Sequence, residues 1–524
     1  MAHRMTKALL ALVVVAALAS PAMAENVLRW ASQGDALTYD PHSANESPTN
    51  LAMAHVYEAL VTRDQSSKIE PCLAESWRVI NPTTWEFKLR TGVKFHDGTP
   101  FTADDVAFTI ARAKGPTSEF RNLITSITGT KVIDSHTIQF LTSGPDPVLL
   151  NELVYIFIMS KKWSEQHSVT EAQSFKDKQE TYTVRHENGT GAFALQLREP
   201  DIRTVLVKNP DWWNLKRYPH NIDKIIYTPI ANPATRVAAL LSGEIDFLLD
   251  PPLQDLDRIK NSPNLKVGQI AQNRTIFFGL DQSSNELRYS NIKGKNPFKD
   301  RRVRQAMQMA IDINAIQRVV MRGLSVPANV ICPPMVHGYP AAIDKARPPY
   351  DVEKAKKLLA EAGYPNGFEV KLEVPNNRYT NDEKIGQAVV GMLGKAGIKV
   401  TLDAQPKTLL WPKYGRKEVD FYMLGWGIAT VDSHYTFSYL YTKDGVWNVG
   451  NYFNPRIEEL TKAINVEMDQ AKRDGMIAEA WKIVTDDAGY IPLHHQVIVW
   501  GMNKKLEMPM QPDDEPHFFW AHLK

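Results

Sequence analysis

The sequence lacks the short motifs that mark the commonest catalytic and nucleotide-binding sites. It contains no HExxH, no GxSxG and no Gly-rich loop that ends in GKS or GKT. These absences exclude a recognisable zincin motif, a nucleophile elbow and a cradle for nucleotide phosphates. Internal repeats and low-complexity linkers are also missing. This favours domains that are joined by crossing strands over domains that are joined by a flexible tether.

The chain also lacks an excess of charge of either sign. It has 61 Lys and Arg residues against 59 Asp and Glu residues. The first 24 residues contain two of the basic residues and none of the acidic ones, so the remaining 500 residues carry 59 of each sign. A neutral chain argues against nucleic acid as a partner. A length of 500 residues is too great for one hydrophobic core and sufficient for two or three domains.

Long apolar runs are scarce, and the one clear example lies at the N-terminus. Arg4 and Lys7 precede an apolar stretch over residues 8–19, and Ala22-Met23-Ala24 supplies a small-x-small cleavage site. The stretch is too short for a stable membrane span, and no comparable run recurs. We therefore expect residues 1–24 to be a cleavable signal peptide. The rest should be an exported, soluble protein that is free in the periplasm of a Gram-negative cell.

Cysteine is rare, because Cys72 and Cys332 are the only two in the chain. Neither lies near the cleavage site, so we expect no lipid-modified N-terminal cysteine. An oxidising compartment permits a disulfide between them, but they are far apart in sequence and should lie in different lobes of the fold. Sequence alone cannot establish the geometry that a disulfide requires, and we favour two unpaired thiols.

The most regular stretch of the chain is residues 73–111, LAESWRVINPTTWEFKLRTGVKFHDGTPFTADDVAFTIA. Apolar and charged residues alternate over residues 85–89, which predicts a strand with one buried face. The polar run over residues 96–100 contains the Asp, Gly and Pro that tight turns favour. Thr102 lies three residues before Asp105, the spacing of a capping box, so a helix should begin there. Strand, turn and helix together predict a rigid scaffold.

This stretch resembles the extracytoplasmic solute-binding proteins of bacterial ABC importers, in the family that takes up oligopeptides, dipeptides and nickel chelates. Members carry a pattern like LAxSW…WxFxLRxGVxFHDGTPxTAxDV, which the stretch matches almost letter for letter. The resemblance implies an α/β, two-lobed periplasmic binding protein of type II, cluster C-like, with an extra α/β subdomain in the first lobe. We expect the first lobe over residues 25–273 and 490–524, its accessory subdomain over about 49–182, and the second lobe over residues 274–489.

Later stretches extend the resemblance and predict further elements. GTGAF at residues 189–193 and NPDWW at residues 209–213 look like segments of the same family. Residues 132–140 have the pattern of one strand. A strand near residue 370, a helix over residues 382–395 and a strand near residue 400 imply a parallel sheet with a right-handed crossover.

The sharpest departure from the family lies in residues 424–435, LGWGIATVDSHY. The resemblance implies that Trp426 and Gly427 belong to the ligand-contacting segment. In peptide-binding members an Asp three residues after this Trp pairs with the ammonium group of the peptide, but here the residue is Ala429. A desolvated ammonium without a carboxylate partner costs several kcal/mol, so the ligand need not be a standard free peptide. Asp432 can replace the missing Asp only if the loop is rebuilt.

Four further residues complete the expected ligand site. Gln33 follows an early strand whose end faces the cleft in family members. Arg378 follows a strand of the second lobe, at the end where open α/β sheets place ligand contacts; it can clamp a carboxylate or phosphate, or form a surface salt bridge. Trp411 and Trp447 are aromatic residues near Trp426 in sequence, and aromatic rings suit ligands with apolar or sugar-like faces. Core packing is the alternative role for roughly half of the aromatic residues in this region.

Two histidine pairs invite a metal interpretation, and we favour structural roles for both. His96-Asp97 precedes Gly98 and belongs to a turn, without further ligands in suitable places. His494-His495 lies in a strand, where neighbouring side chains point to opposite faces and cannot easily chelate one ion. We therefore expect neither a metal nor a cofactor.

The expected function is capture of a peptide or peptide-like solute between the two lobes, followed by delivery to an inner-membrane ABC permease with separate ATPase subunits. Ala429 leaves N-blocked peptides, opine or sugar conjugates and metal chelates as alternatives. A periplasmic hydrolase with paired carboxylates such as Asp432 and Glu244 is the competing enzyme class, although no acid/base pair lies in a shared motif. A sensory protein that docks on a receptor is a third class. We expect a monomer that is not an enzyme.

Overall fold

The computed structural model describes residues 25–524 apart from residues 176 and 178. The expected signal peptide, residues 1–24, lies outside the described residues. Within the described range, none of the helices has both the length and the apolar character needed to cross a membrane.

The strands of the described chain form one large sheet and three small ones. In chain order they are β1 (Val27–Ser32), β2 (Val61–Arg63), β3 (Ile69–Pro71), β4 (Ala74–Asn81), β5 (Thr84–Leu89), β6 (Ile127–Asp134), β7 (Thr137–Thr142), β8 (Phe193–Glu199), β9 (Arg203–Lys208), β10 (Lys224–Pro229), β11 (Phe247–Leu249), β12 (Leu265–Leu280), β13 (Ser325–Pro327), β14 (Phe368–Pro375), β15 (Ile398–Gln405), β16 (Phe421–Gly427), β17 (Ile491–Asn503), β18 (Leu506–Glu507) and β19 (His522–Leu523).

The helices pack on the faces of these sheets. They are α1 (Ser47–Val56), α2 (Ala103–Ala113), α3 (Leu149–Leu153), α4 (Lys161–Gln166), α5 (Pro233–Ser242), α6 (Leu256–Lys260), α7 (Arg301–Ala310), α8 (Ile313–Ala315), α9 (Ala341–Lys345), α10 (Val352–Glu361), α11 (Asp382–Lys395), α12 (Lys407–Gly415), α13 (Ser433–Thr436), α14 (Pro455–Ile464) and α15 (Gln470–Asp486).

The large sheet runs through both lobes in the order β15-β14-β16-β12-β17-β11-β1-β10-β9-β8, and β13 pairs with β17. The first lobe is built on β1 and β8–β11, and the second on β13–β16. The lobes share β12 and β17, which are antiparallel and pair from Leu265 with Asn503 to Phe278 with Ile491. The 16 residues of β12 span roughly 50 Å at the usual rise of a strand. Two long strands therefore join the lobes.

Each lobe has its own hydrophobic core, and β12 contributes to both. Its first residue, Leu265, is buried with residues of the first lobe, whereas Ile276, Phe278 and Leu280 are buried with residues of the second. Cys72 and Cys332 are buried free thiols in different cores. This agrees with the expectation that they lie in separate parts of the fold.

The accessory subdomain consists of the antiparallel sheet β4-β5-β7-β6 and the helix α2. Its core residues come from residues 60–158. The wider bounds of about 49–182 stay a prediction, as do the other lobe boundaries. The expectation of one strand over residues 132–140 is wrong, because Asp134 ends β6 and accepts a hydrogen bond from the backbone N–H of His136 at 2.8 Å, which forms the turn into β7.

The capped helix is confirmed. The backbone N–H of Thr102 donates to an Asp105 carboxylate oxygen at 2.9 Å, and α2 begins at the next residue. Gly98 in the preceding turn has a φ of 83°, which a glycine adopts at little cost. His96 has structural partners, since its Nδ1 lies 2.9 Å from a Glu187 carboxylate oxygen. The parallel pairing of β14 with β15 across α11 is confirmed as well.

Candidate ligand-binding cleft

The carboxyl ends of the parallel strands in the two lobes point towards each other. β1, β10 and β11 are parallel to one another, as are β14, β15 and β16. β11 and β16 are antiparallel to the neighbouring strands β17 and β12, which fixes their opposite directions. The end of β11 lies level with Gly268 of β12, and the end of β16 lies level with Arg274. The two strand ends are therefore six residue steps apart, roughly 20 Å. Open α/β sheets bind ligands at such ends, which makes this gap the candidate cleft.

The floor of the cleft is an irregular segment of β12. Pairing with β17 breaks between Ala271 and Thr275. Asn273 lies in this break; its backbone N–H donates to Pro512 at 2.7 Å, and its side-chain amide donates to the carbonyl of Ile428 at 2.6 Å. A bulge that re-aims side chains is common beside functional sites. Here it connects the floor of the cleft to the loop that follows β16.

Arg274 leaves this bulge along the end of β16. Its guanidinium donates to the carbonyl of Gly425 at 3.3 Å, and a Cβ placed on Gly427 would lie 3.1 Å from its Nη2 atom. Gly427, which sequence analysis assigned to the ligand-contacting segment, therefore leaves space for the guanidinium of Arg274. Burial, and to a smaller extent the nearby charge of Arg378, lowers the pKa of Arg274 to about 10.

The lobes contact each other directly at Ala429. Arg63, at the end of β2 in the first lobe, donates from Nη2 to the carbonyl oxygen of Ala429 at 3.3 Å. Its other terminal nitrogen donates to the Asn151 side chain at 3.1 Å. Peptide-binding family members carry a carboxylate at this position. Here the residue is Ala429, and its backbone carbonyl accepts a hydrogen bond from the Arg63 guanidinium.

Asp432 is engaged in a network inside the second lobe. Its two carboxylate oxygens accept hydrogen bonds from Arg473 at 2.7 and 2.8 Å, and His337 Nδ1 lies 2.7 Å from one of them. Burial alone would raise the pKa of Asp432, but the hydrogen bonds from His337 and Arg473 hold it well below its usual range. A ligand ammonium would have to displace Arg473, so the structure argues against Asp432 as the substitute for the missing Asp.

Aromatic side chains form one connected group beside this loop. The ring of Trp426 lies 5.3 Å from Tyr435, 5.7 Å from Tyr439 and 6.4 Å from Trp447, between centroids. Trp411 lies 6.2 Å from Trp447. Trp426 is 7% exposed, and its indole N–H has no hydrogen-bond partner among the described residues. A buried donor without a partner needs an explanation, and a ligand acceptor supplies one.

Glu152 lies opposite this aromatic group, on the short helix α3 of the first lobe. Its charge is close enough to raise the pKa of both Tyr435 and Tyr439. Glu152 is half-buried, and no group in the described part of the chain forms a hydrogen bond or ion pair with its carboxylate. Burial, and after it the nearby Asp146, raises the pKa of Glu152 well above its ordinary value.

Charged side chains of the two lobes lie near one another at the ends of β11 and β14. Asp250 follows β11 and is exposed, with the charges of Arg236 and Arg378 nearby. Asp514 accepts a hydrogen bond from Trp500 Nε1 at 3.0 Å, and burial together with Asp250 raises its pKa well above the ordinary value. Carboxylates of the first lobe and guanidinium groups thus meet in one place.

Three non-glycine residues around the cleft have left-handed backbones. Asp250, Val431 and Asp514 have φ values of 55°, 52° and 68°. A β-branched residue such as Val431 rarely adopts this conformation, and strained backbones of this kind are concentrated at binding and catalytic sites.

Comparison with known proteins agrees with this arrangement. Residues 68–448 match the family described as "Bacterial extracellular solute-binding proteins, family 5 Middle". The chain belongs to this family. It is 28% identical over 508 residues to the glutathione-binding protein GsiB of Shigella dysenteriae serotype 1, a match that covers 94% of both chains.

Solved structures of family 5 solute-binding proteins superpose closely on this chain. The periplasmic binding protein DppA of Helicobacter pylori, in complex with the peptide STSA, has a TM-score of 0.76 and 25% identity over 95% of this chain and 98% of its own. The substrate-binding protein CtaP of Listeria monocytogenes has a TM-score of 0.83 and 20% identity over 95% and 99%. These matches confirm the two-lobed α/β fold and the role as solute-binding component of an ABC importer.

The residues expected from sequence separate into three sets in this family 5 protein. Trp426, Trp447 and Trp411 form one aromatic group; Gly427 ends β16 beside it, and Ala429 lies in the loop that follows. Gln33 is exposed after β1, and the guanidinium of Arg378 lies 5.1 Å from the ring of Tyr379. Asp432 is buried beside Arg473. Their roles in binding stay predictions.

The two carboxylates weighed for hydrolysis lie apart, and His495 of the histidine pair has structural partners. Glu244 is exposed beyond α5 in the first lobe, whereas Asp432 is buried in the second, so the two do not form a pair. His495 contacts Thr275 at 2.8 Å and Asp344 at 3.2 Å.

Sequence analysis missed several residues of the cleft wall. Asp250 follows a strand of the first lobe, so the same argument that selected Arg378 would have found it. Arg63 and Glu152 lie in short elements of the accessory region and have no local pattern that points to a ligand. Only the packing of the two lobes brings them opposite Ala429 and Trp426.

Proposed function

We propose that this chain is a periplasmic solute-binding protein whose ligand is a peptide-like molecule with both an amino group and a carboxylate. The observation that carries the proposal is the Glu152 carboxyl group, which is half-buried, has no partner among the described residues and faces the aromatic group of Trp426. A ligand ammonium placed there gains a charge-assisted hydrogen bond and an aromatic surface. Glu152 thereby supplies, from the opposite lobe, the carboxylate that is missing at Ala429.

The guanidinium groups supply the complementary half of the site. Arg274 and Arg378 lie close together beside Asp250, and neither forms a close ion pair with a carboxylate in the described part of the chain. Arginine binds carboxylates through two parallel hydrogen bonds, which makes these two residues the candidates for the ligand carboxylate.

The similarity to GsiB supports a peptide-like ligand. Glutathione is a small peptide with one ammonium and two carboxylates, and the relative that carries its name matches this chain over 94% of its length. Glutathione is therefore the first compound to test. Dipeptides and a short peptide such as the one bound to DppA are the next.

Ligand capture in this proposal is a shift between open and closed lobes. A ligand that contacts Glu152 in the first lobe and Trp426 in the second binds only the closed form with full affinity. A differential affinity of about 5.5 kcal/mol converts a mostly open population into a mostly closed one. The loaded monomer then docks on an inner-membrane permease, whose separate ATPase subunits supply the energy. The chain itself carries out no catalysis.

The deciding experiment is to purify the protein without denaturation, release whatever is bound and identify it by mass spectrometry. Isothermal titration with glutathione, a dipeptide and its N-acetylated form follows. A bound compound with a free amino group, and weaker binding of the acetylated form, are the expected results. A single species without an amino group would overturn the proposal and favour the N-blocked or non-peptide ligands that Ala429 suggests. Turnover of the ligand would show an enzyme instead.

A further inference from the structure

The C-terminal segment carries a second cluster of polar side chains, inside the first lobe. Residues 511–517 read QPDDEPH, with Asp513, Glu515 and His517 at alternate positions. Residues 515–517 have no helical or strand assignment. Asp513 lies in the turn before this stretch, and the left-handed backbone of Asp514 turns the chain so that the two carboxylates and the imidazole come close together.

The geometry of the cluster is close to that of a metal site. One ligand atom from each of the three residues lies within 4.8 Å of the other two. His517 Nε2 is 4.0 Å from an Asp513 carboxylate oxygen, and the two side chains are only 15% and 22% exposed. Ligand atoms about 2.1 Å from one ion lie up to about 4.2 Å apart, so small side-chain rotations close the site.

The cluster opens onto a small internal cavity. The cavity has a volume of about 70 Å³, and its lining includes the three cluster residues together with Arg63, Tyr155 and Glu58. A water molecule takes up roughly 30 Å³ of liquid, so the cavity holds an ion and one or two waters. Its lining comes from the first lobe alone, whereas the aromatic group beside the ligand loop belongs to the second lobe.

Glu515 is the strongest indication that something binds in this cavity. It is 8% exposed, and no group of the described chain donates a hydrogen bond to its side-chain carboxylate. Arg63 is the nearest cation, but its guanidinium donates to the carbonyl of Ser67, the side chain of Asn151 and the carbonyl of Ala429. The Glu515 carboxylate lines the cavity without a hydrogen bond from the described chain, so it can coordinate a cation there without giving up an existing partner.

We propose that Asp513, Glu515 and His517 bind one divalent transition-metal ion, with Zn²⁺ as the best match to this donor set. The imidazole nitrogen is a ligand of borderline softness, which Ca²⁺ and Mg²⁺ with their all-oxygen sites disfavour, whereas Zn²⁺ binds imidazole nitrogen and carboxylate oxygen together. Three protein ligands leave the remaining position for a water molecule in the cavity. The ion would fix the conformation of residues 513–517 in the C-terminal segment. The proposal does not depend on which solute the cleft transports.

The test is metal binding by the purified chain after removal of metals with a chelator. Equilibrium dialysis and titration with Zn²⁺ should give one tight site per chain and a higher melting temperature. Glu515→Gln keeps the shape of the side chain and should weaken Zn²⁺ binding at least tenfold, as should His517→Ala. His186→Ala removes an exposed histidine elsewhere in the first lobe and should leave the affinity unchanged.

A second measurement locates the ion. Anomalous diffraction from crystals soaked in Zn²⁺ should place a peak between the three side chains, and Co²⁺ should give a visible absorption spectrum that Glu515→Gln removes. The same crystals report the fold of each variant, so a loss of binding through misfolding is recognised directly. Failure of the chelated protein to bind Zn²⁺, a peak at another position, or equal affinity in Glu515→Gln and wild type would each overturn the proposal.

Discussion

The guanidinium of Arg63 and the carbonyl oxygen of Ala429 are joined by a hydrogen bond of 3.3 Å across the cleft, although 366 residues separate them in sequence. The bond connects the accessory region of the first lobe to the ligand loop of the second. It forms only when the lobes are close together, so it contributes to the closed state and not to the open one.

Arg63→Ala should weaken ligand binding by shifting the lobes towards the open state. A hydrogen bond from a charged donor contributes about 1.5–3 kcal/mol, so we expect at least a tenfold loss of affinity. Small-angle scattering of the unliganded protein should show a larger radius of gyration. Arg78→Ala, which alters an exposed arginine of the accessory sheet, is the matched control and should change neither quantity. Equal affinity and equal radius in both variants would contradict this role of Arg63.

Glu152→Gln should weaken binding of ligands with a free amino group by a factor of ten to one hundred. The amide keeps the shape of the carboxyl group but cannot balance an ammonium charge, and a charge-assisted hydrogen bond is about twice as strong as a neutral one. Titration calorimetry with glutathione and its N-acetylated form measures the effect. The variant should bind the two forms with similar affinity, whereas Glu165→Gln, at an exposed position on α4, should behave like wild type. Retained preference for the free amine would exclude Glu152 as its partner.

Ligand binding should release a proton from Glu152. Burial raises the pKa of this carboxyl group in the unliganded protein, and a ligand ammonium would lower it again. Affinity should therefore rise with pH until the pH exceeds the raised pKa, and the binding enthalpy should depend on the ionisation enthalpy of the buffer below that point. The charged and titratable neighbours are Asp146, Tyr435 and Tyr439. Calorimetry in two buffers checks this, and Glu152→Gln should abolish the buffer dependence.

The buried pair of Asp432 and Arg473 should be essential for the stability of the second lobe. Arg473→Met leaves a buried carboxylate without its bidentate partner, which costs about 3–5 kcal/mol of unfolding free energy. The double variant Asp432→Asn with Arg473→Met should be more stable than Arg473→Met alone, because no unpaired charge remains. Urea unfolding of wild type, Asp432→Asn, Arg473→Met and the double variant measures the coupling. Additive effects of the two substitutions would show that the pair is not coupled.

Asp40 should give the first lobe a stability that is lost in acid. Burial alone would raise its pKa, but Arg112, which donates to Asp40 Oδ2 at 2.5 Å, and further hydrogen bonds hold it at about 2, against 3.8 for the ordinary carboxyl. A lowered pKa stabilises the fold above pH 4, and this contribution, about 2 kcal/mol, disappears as the pH falls through 2. The stability difference between wild type and Asp40→Asn should shrink by this amount between pH 5 and pH 2 in urea unfolding. A difference that does not change with pH would contradict the assignment.

Local elements of the fold could be predicted because their causes lie within a few residues. The alternation over residues 85–89 buries one face of β5, and Thr102 and Asp105 satisfy each other at the start of α2. The one local error, the single strand over residues 132–140, came from a pattern that continues on both sides of a turn, so apolar spacing alone did not reveal the interruption at Asp134.

The sequence by itself determined the family, the strand-turn-helix scaffold and the replacement of the expected ammonium-binding carboxylate by Ala429. Only the tertiary structure decided what compensates for that replacement. Asp432 is close to Ala429 in sequence, yet α15 brings Arg473 against it and occupies both of its oxygens. Glu152 and Arg63 are hundreds of residues away, yet the crossing strands β12 and β17 place their lobe opposite the ligand loop. Residue spacing encodes contacts between neighbours along the chain, whereas contacts between lobes depend on where every intervening element packs.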